Sequence, residues 1–152
     1  MKKRLFARVD ELLSLLLLDR ESVEKVTGLH LSSLNEQDPF FAVYHGSNTK
    51  ATAEISQVEL RCPGPRSKMN DGLVILTLNP KLKVKVGEVR ARFGQEESFN
   101  PRPAEAPRSV PNYTSYTLGK ARVSFGFLEP AQGSTDNWPG SLVAVVIDRS
   151  NC

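Results

Sequence analysis

A chain of 152 residues, 39% hydrophobic and 24% charged, suits one compact domain or two small halves packed together. Its net charge of +3 comes from 20 Lys and Arg interleaved with 17 Asp and Glu, so the concentrated basic stripe that neutralises a nucleic-acid backbone is missing and no nucleic-acid partner is expected. The leucine-rich stretch at residues 12–18 is too short to span a bilayer, and no membrane span is expected.

The opening Met1-Lys2-Lys3-Arg4 resembles the start of an export signal, but Asp10 and Glu11 interrupt the apolar stretch and no small-residue cleavage site follows Leu18. A cytoplasmic location is expected if Met1 is the native start, and a periplasmic one if an export signal has been removed. Leu5, Val9, Leu12 and Leu16 recur at helical spacing and predict an amphipathic helix over 4–18, joined on its apolar side by Phe6, Leu13 and Leu17. Asp19 or Ser22 can cap a second, short helix over 21–27, with Gly28 as its stop. Strand-like segments follow at 40–45, 53–62 and 73–79, separated by Gly46-Ser47-Asn48, Pro63-Gly64-Pro65 and Asn70-Asp71-Gly72. Leu82-Lys83-Val84-Lys85-Val86 alternates strictly and predicts a short strand with one wet face. Gly87 then leads into a helix over 88–93, stopped by Gly94. Pro101, Pro103, Pro107 and Pro111 make 98–112 an extended, stiff loop. Strands resume at 113–118, 121–128 and 142–148, the first two joined by a hairpin turn at Leu118-Gly119-Lys120.

The two halves repeat one order of elements at a spacing of about 66 to 69 residues. Ser22 to Gly28 aligns with Glu88 to Gly94, Ala53-Glu54-Ile55 with Ala121-Arg122-Val123, and Leu73 to Asn79 with Leu142 to Asp148. One short helix cannot cover a three-stranded meander alone, whereas two such units side by side can share a sheet. The expected fold is therefore α+β. Two tandem helix-then-antiparallel-sheet units, residues 1–80 and 81–152, form one curved sheet with the helices packed on one face.

Few side chains offer catalysis. His30 and His45 are the two histidines, and Ser47 near His45 lacks a nucleophile-elbow motif. Two distant cysteines and two distant histidines do not supply a zinc site, no glycine loop cradles phosphate, and no metal or cofactor is expected. Cys62 and Cys152 allow one disulfide, which the sequence does not decide. What remains is binding surface. The stiff proline loop presents Arg102 and Arg108 among the aromatics Phe99, Tyr113 and Tyr116, and Trp138 lies in a turn between two strands. These six residues are the candidate partner-binding set, because aromatics and Arg anchor interfaces and a stiff backbone loses little entropy on docking.

The run Leu82-Lys83-Val84-Lys85-Val86-Gly87-Glu88-Val89-Arg90-Ala91-Arg92-Phe93-Gly94 resembles the helix signature of the β-lactamase-inhibitor-protein-like superfamily, which includes outer-membrane assembly lipoproteins of the SmpA/OmlA type. The chain departs from that pattern in having no lipoprotein cysteine near Met1 and Thr27 where the second repeat has Phe93. The resemblance implies a non-enzymatic bacterial protein-binding module, an inhibitor or immunity protein that sterically neutralises a toxin or enzyme. Its other implication is an envelope assembly or scaffold component; a small ligand-binding protein or enzyme using a concave sheet face is a third reading.

Overall fold

The computed structural model describes residues 1–34, 38–50, 52–130 and 140–150. Among them the elements run α1 (Lys2–Ser14), α2 (Arg20–Thr27), β1 (Ser32–Ser33), β2 (Phe41–Ser47), β3 (Ile55–Pro63), β4 (Leu73–Leu78), α3 (Val86–Phe93), β5 (Ser98–Asn100), β6 (Asn112–Leu118), β7 (Ala121–Leu128) and β8 (Ser141–Asp148). The class is α+β. The strands make one open antiparallel sheet in the order β1-β2-β3-β4-β8-β7-β6-β5, so β4 and β8 meet at its centre. Its edges, β1 and β5, are two and three residues long. Short edges offer little template for unwanted strand pairing.

Local chemistry accounts for the helix ends. The Asp19 carboxylate accepts the Ser22 N–H at 2.8 Å and caps α2, and Gly28 ends it with φ of 72°, a left-handed conformation that glycine adopts without a Cβ penalty. The α1 periodicity holds for Leu5, Val9 and Leu12, which are buried, but the helix stops at Ser14. Residues 15–18 leave it as a bent strap, and Leu16 is 94% exposed rather than part of the apolar face. The alternating segment at 82–86 is likewise no strand. Leu82 and Val84 are buried as the alternation predicts, but Lys83 between them has φ of 54°, a left-handed conformation that breaks the extended backbone. One isolated bridge, Lys85 to Ser141, is all that forms before α3 begins at Val86.

One continuous core joins Leu5, Val9 and Leu12 of α1, Val23 and Val26 of α2 and Val89 of α3 to alternate positions of the strands: Val58 and Leu60, Val74 and Leu76, Val145 and Ile147, Val123, Phe125 and Phe127. Phe93 links helix to sheet, its ring 5.2 Å from that of Phe125 and 5.8 Å from that of Tyr116.

The end of the sheet where β4 starts and β8 stops carries a buried ion pair. Arg149 Nε lies 2.8 Å from Asp71 Oδ2, with both side chains only 8% exposed. Asp71 Oδ1 accepts the N–H of Leu18 at 2.8 Å and of Gly72 at 2.7 Å. The remaining Arg149 nitrogens donate to the carbonyls of Leu15 and Leu16. A buried charge deprived of its partner is strongly destabilising, whereas an apolar pair of similar volume can be tolerated. Arg149→Ala or Asp71→Ala is therefore expected to lower the unfolding free energy by about 3 kcal/mol. In urea denaturation the double replacement Asp71→Leu with Arg149→Met should lose less than either single alanine.

Candidate functional site

Side chains on a strand alternate between faces, so the positions between the core residues make the second face of the sheet. Cross-strand pairing lines them up in rows. One row runs His45, Glu59, Ile75, Val146, Ser124, Ser115, and the next Val43, Arg61, Leu73, Asp148, Arg122, Thr117. The centre of this face is apolar: Leu73, Ile75 and Val146 are half-buried, and Val43 and Phe41 continue the patch toward β2, where Phe41 is 40% exposed. Polar groups flank it. Arg61 reaches the Glu59 carboxylate at 2.8 Å, Arg122 donates to Ser98 Oγ at 2.9 Å, and the Ser115 and Ser124 hydroxyls are 2.8 Å apart.

Hollows of about 530, 270 and 180 Å³ mark the face. The largest is lined by Asn70, Thr117, Gly119, Lys120, Ala121, Arg122 and Asp148, and the second, sharing Arg122, by Asn100, Tyr113, Ser115, Ser124 and Val146. The smallest lies between Asp38, Phe41, Val43 and Arg61. Gly126 allows the second hollow its shape: a Cβ there would stand 2.8 Å from Tyr113 Cε1, so the Tyr113 ring lies directly against the glycine backbone.

The six residues expected to bind a partner are not gathered in one place. Tyr113, half-buried on the second face, lines the hollow just described, and burial pushes its phenol above the usual tyrosine range. Tyr116, three residues on, faces the opposite way; it is 3% exposed, stacks in the core with Phe93 and Phe125, and donates its hydroxyl to the Gly94 carbonyl at 2.8 Å. Arg102 turns inward, meets Glu129 at 3.2 Å and donates to the Ala106 carbonyl, which stiffens the proline loop from behind. Arg108 stays exposed, 3.9 Å from the same carboxylate, and Phe99 is half-buried on β5. Trp138 lies outside the described residues, as does Cys152 and hence any bridge from it to Cys62.

His45 and Ser47 sit two residues apart on β2, which places them on the same face, about 7 Å apart and out of hydrogen-bond reach. His30 is exposed and its Nδ1 lies 3.1 Å from Glu24. Among the described residues no group of three or more His, Cys, Asp or Glu could hold a metal ion, and no helix is long and apolar enough to cross a membrane.

Models of known protein families, curated protein sequences and solved structures offer no match to this chain. The site is therefore read from its own geometry.

Sequence reasoning did not single out Phe41, Leu73, Ile75 and Val146. Their signal was present in the composition of two strands. Leu73-Val74-Ile75-Leu76 and Leu142-Val143-Ala144-Val145-Val146-Ile147 are apolar at every position, whereas an antiparallel strand with one wet face alternates.

Cys62 is half-buried, its Sγ 3.5 Å from the Leu18 carbonyl. Burial first, then the carboxylates of Asp19 and Asp71, push its thiol up to about 11. Only the thiolate reacts with alkylating agents. In native protein near neutral pH, iodoacetamide labelling of Cys62 should be about 100-fold slower than of a freely exposed cysteine, rising about tenfold per pH unit until the pH approaches that value. Peptide mass spectrometry after timed quenching gives the site-resolved rate.

Proposed function

We propose that this chain is a non-enzymatic protein-binding module that neutralises a partner, a toxin or an enzyme, by covering its working surface. The observation that carries the reading is the apolar centre of the second sheet face. Leu73, Ile75 and Val146 occupy the two central strands, on the side away from the core, where a solvated face calls for polar residues. The six long strands present a face on the order of 700 Å², close to the roughly 800 Å² that each partner contributes to a stable interface. The aromatic ring of Phe41 at one side and of Tyr113 at the other are the residue types that anchor such contacts.

The fold we infer is two tandem units, each a short helix followed by a four-stranded meander, joined through β4 and β8, with the helices covering one face. The strand order supports this, since it runs 1-2-3-4 in the first half and 8-7-6-5 in the second. Such a duplication would place the apolar seam on the axis between the units and make it the widest flat area available for docking. The resemblance to the β-lactamase-inhibitor-protein-like superfamily favours the same reading, although a fold by itself does not fix function.

The test uses the full chain with a photo-crosslinking amino acid at Ile75, at Val146 or, as a control, at Lys3 on α1. The expected result is a covalent adduct with one and the same protein from both sheet positions and none from Lys3. That protein's activity, assayed after purification, should fall in proportion to added chain up to an equimolar ratio. Ile75→Lys should weaken the inhibition at least tenfold with the thermal midpoint of the free chain little changed. Adducts that are absent, or equally strong from Lys3, would refute the assignment.

A further inference from the structure

The proline loop between β5 and β6 is folded as a unit of its own. The Ala106 N–H donates to the Pro103 carbonyl and the Val110 N–H to the Pro107 carbonyl, both at 3.0 Å, so its backbone closes two turns. The Arg102 guanidinium donates to the Pro103 and Ala106 carbonyls and ties the first turn from within. Pro101, Pro103, Pro107 and Pro111 fix the backbone angle φ along it. No residue from 101 to 111 is buried, so the loop adds little to the core. A segment with few buried apolar contacts is one that opens before the rest of a fold.

Polar contacts hold this unit to the sheet. The Arg102 N–H donates to Asn112 Oδ1 at 2.8 Å, and Arg102 Nη2 meets Glu129 Oε2 at 3.2 Å, with Arg108 3.9 Å from the same oxygen. The strand beneath carries polar groups that the closed loop does not satisfy. Asn112 and Thr114 lie opposite the core residues Phe127 and Phe125 and share their face, 0% and 1% exposed. Arg102 Nε, Asn112 Nδ2 and Thr114 Oγ1 are buried side-chain atoms without a hydrogen-bond partner, and all three fall on this loop and the strand that follows it. A buried polar group without a partner destabilises the state that buries it, and water reaching the group removes that cost. The Glu129 contact therefore holds the loop down against a cost that opening relieves.

We propose that residues 101–111 form a flap that leaves the end of β6 as one body, with the ion pair between Arg102 and Glu129 as its latch. Opening brings water to Arg102, Asn112 and Thr114. The flap ends at Pro111, whose Cβ would stand 3.1 Å from a Cβ added to Gly126, beside the Tyr113 ring. Its position therefore sets the shape of one hollow on the second sheet face, whatever that face binds.

Amide hydrogen exchange of the full chain, resolved by NMR, reads the opening at the Arg102 N–H. Corrected for sequence, that amide should exchange at least about 100-fold faster than those of Val74 and Leu76 in the central strand β4. Glu129→Gln should raise the Arg102 rate about tenfold while Val74, Leu76 and the turn amides of Ala106 and Val110 change less than twofold. Thr114→Val deletes one unmet hydroxyl and keeps the shape of the side chain, so it should slow Arg102 exchange at least threefold. Arg102 exchange as slow as that of Val74 and Leu76 would overturn the proposal, because the loop would then open only with the whole fold. An Arg102 rate untouched by Glu129→Gln would remove the latch, and Ala106 and Val110 accelerating with Arg102 would show fraying in place of a rigid flap. Faster exchange in Thr114→Val would count equally against it, since the hydroxyl would then be one that the closed loop satisfies.

Discussion

The contact between Asp71 and Arg149 organises the end of the molecule on which much else depends. It ties together three stretches far apart in the chain: the strap after α1, the turn before β4 and the residue after β8. Two charges removed from water are tolerable only if their remaining hydrogen-bonding capacity is met. Here it is met by backbone: two N–H groups on the carboxylate and two carbonyls on the guanidinium. Three of those four groups, the Leu18 N–H and the Leu15 and Leu16 carbonyls, belong to residues that follow the end of a helix and have no helical partner. The pair therefore both ends α1 and fixes where the chain goes next, to the Asp19 cap that starts α2. The same strap contributes the carbonyl that receives the Cys62 thiol, whose pKa is raised by burial first and then by the negative charges of Asp19 and Asp71.

From that end the sheet runs inward to a seam of unusual composition. Strands β4 and β8 are apolar on both sides, while the strands outward from them become progressively polar on the second face, through Glu59 and Arg61 on one flank and Ser124 and Ser115 on the other. Burial at the sheet centre explains one side of the seam, since Val74, Leu76, Val145 and Ile147 meet the helices in the core. It does not explain Leu73, Ile75 and Val146, which stay half-buried on the other side and would gain from being covered further. Fully burying a side chain of this size is worth about 2 kcal/mol, so three of them with an aromatic at the margin represent a substantial drive toward association.

The strands and short helices were legible in the sequence because their signals are local. Apolar runs, a capping aspartate and glycines at the turns each act within a few residues. Two misreadings came from competition at long range. The α1 periodicity continues through Leu16, but Asp71 and Arg149, 53 and 133 residues away along the chain from their strap partners, hold the last turn open. The alternation at Lys83 and Lys85 is that of a strand, yet Lys83 has φ of 54° and the segment meets only the start of β8, at Ser141 and Leu142, before α3 begins. The aromatic candidates divide for a third reason. Tyr113 and Tyr116 are an odd number of residues apart on β6, so they must face opposite ways, and only the core reveals which of them is lost to the interior. Arg102 was legible as part of a stiff loop, but not its inward turn, because its partner Glu129 comes from beyond β7.

The two surfaces divide their charges in different ways. On the sheet face the cations are engaged: Arg61 with Glu59, and Arg122 with Ser98. Contact there relies on apolar area and shape, forces that act only at short range. At the end of the sheet Arg66 and Lys68 have no ion-pair partner among the described residues, and an unpaired cation acts over a Debye length, about 8 Å at physiological salt. A partner of the sheet face would therefore be held by apolar area and close fit, with little contribution from its already engaged cations.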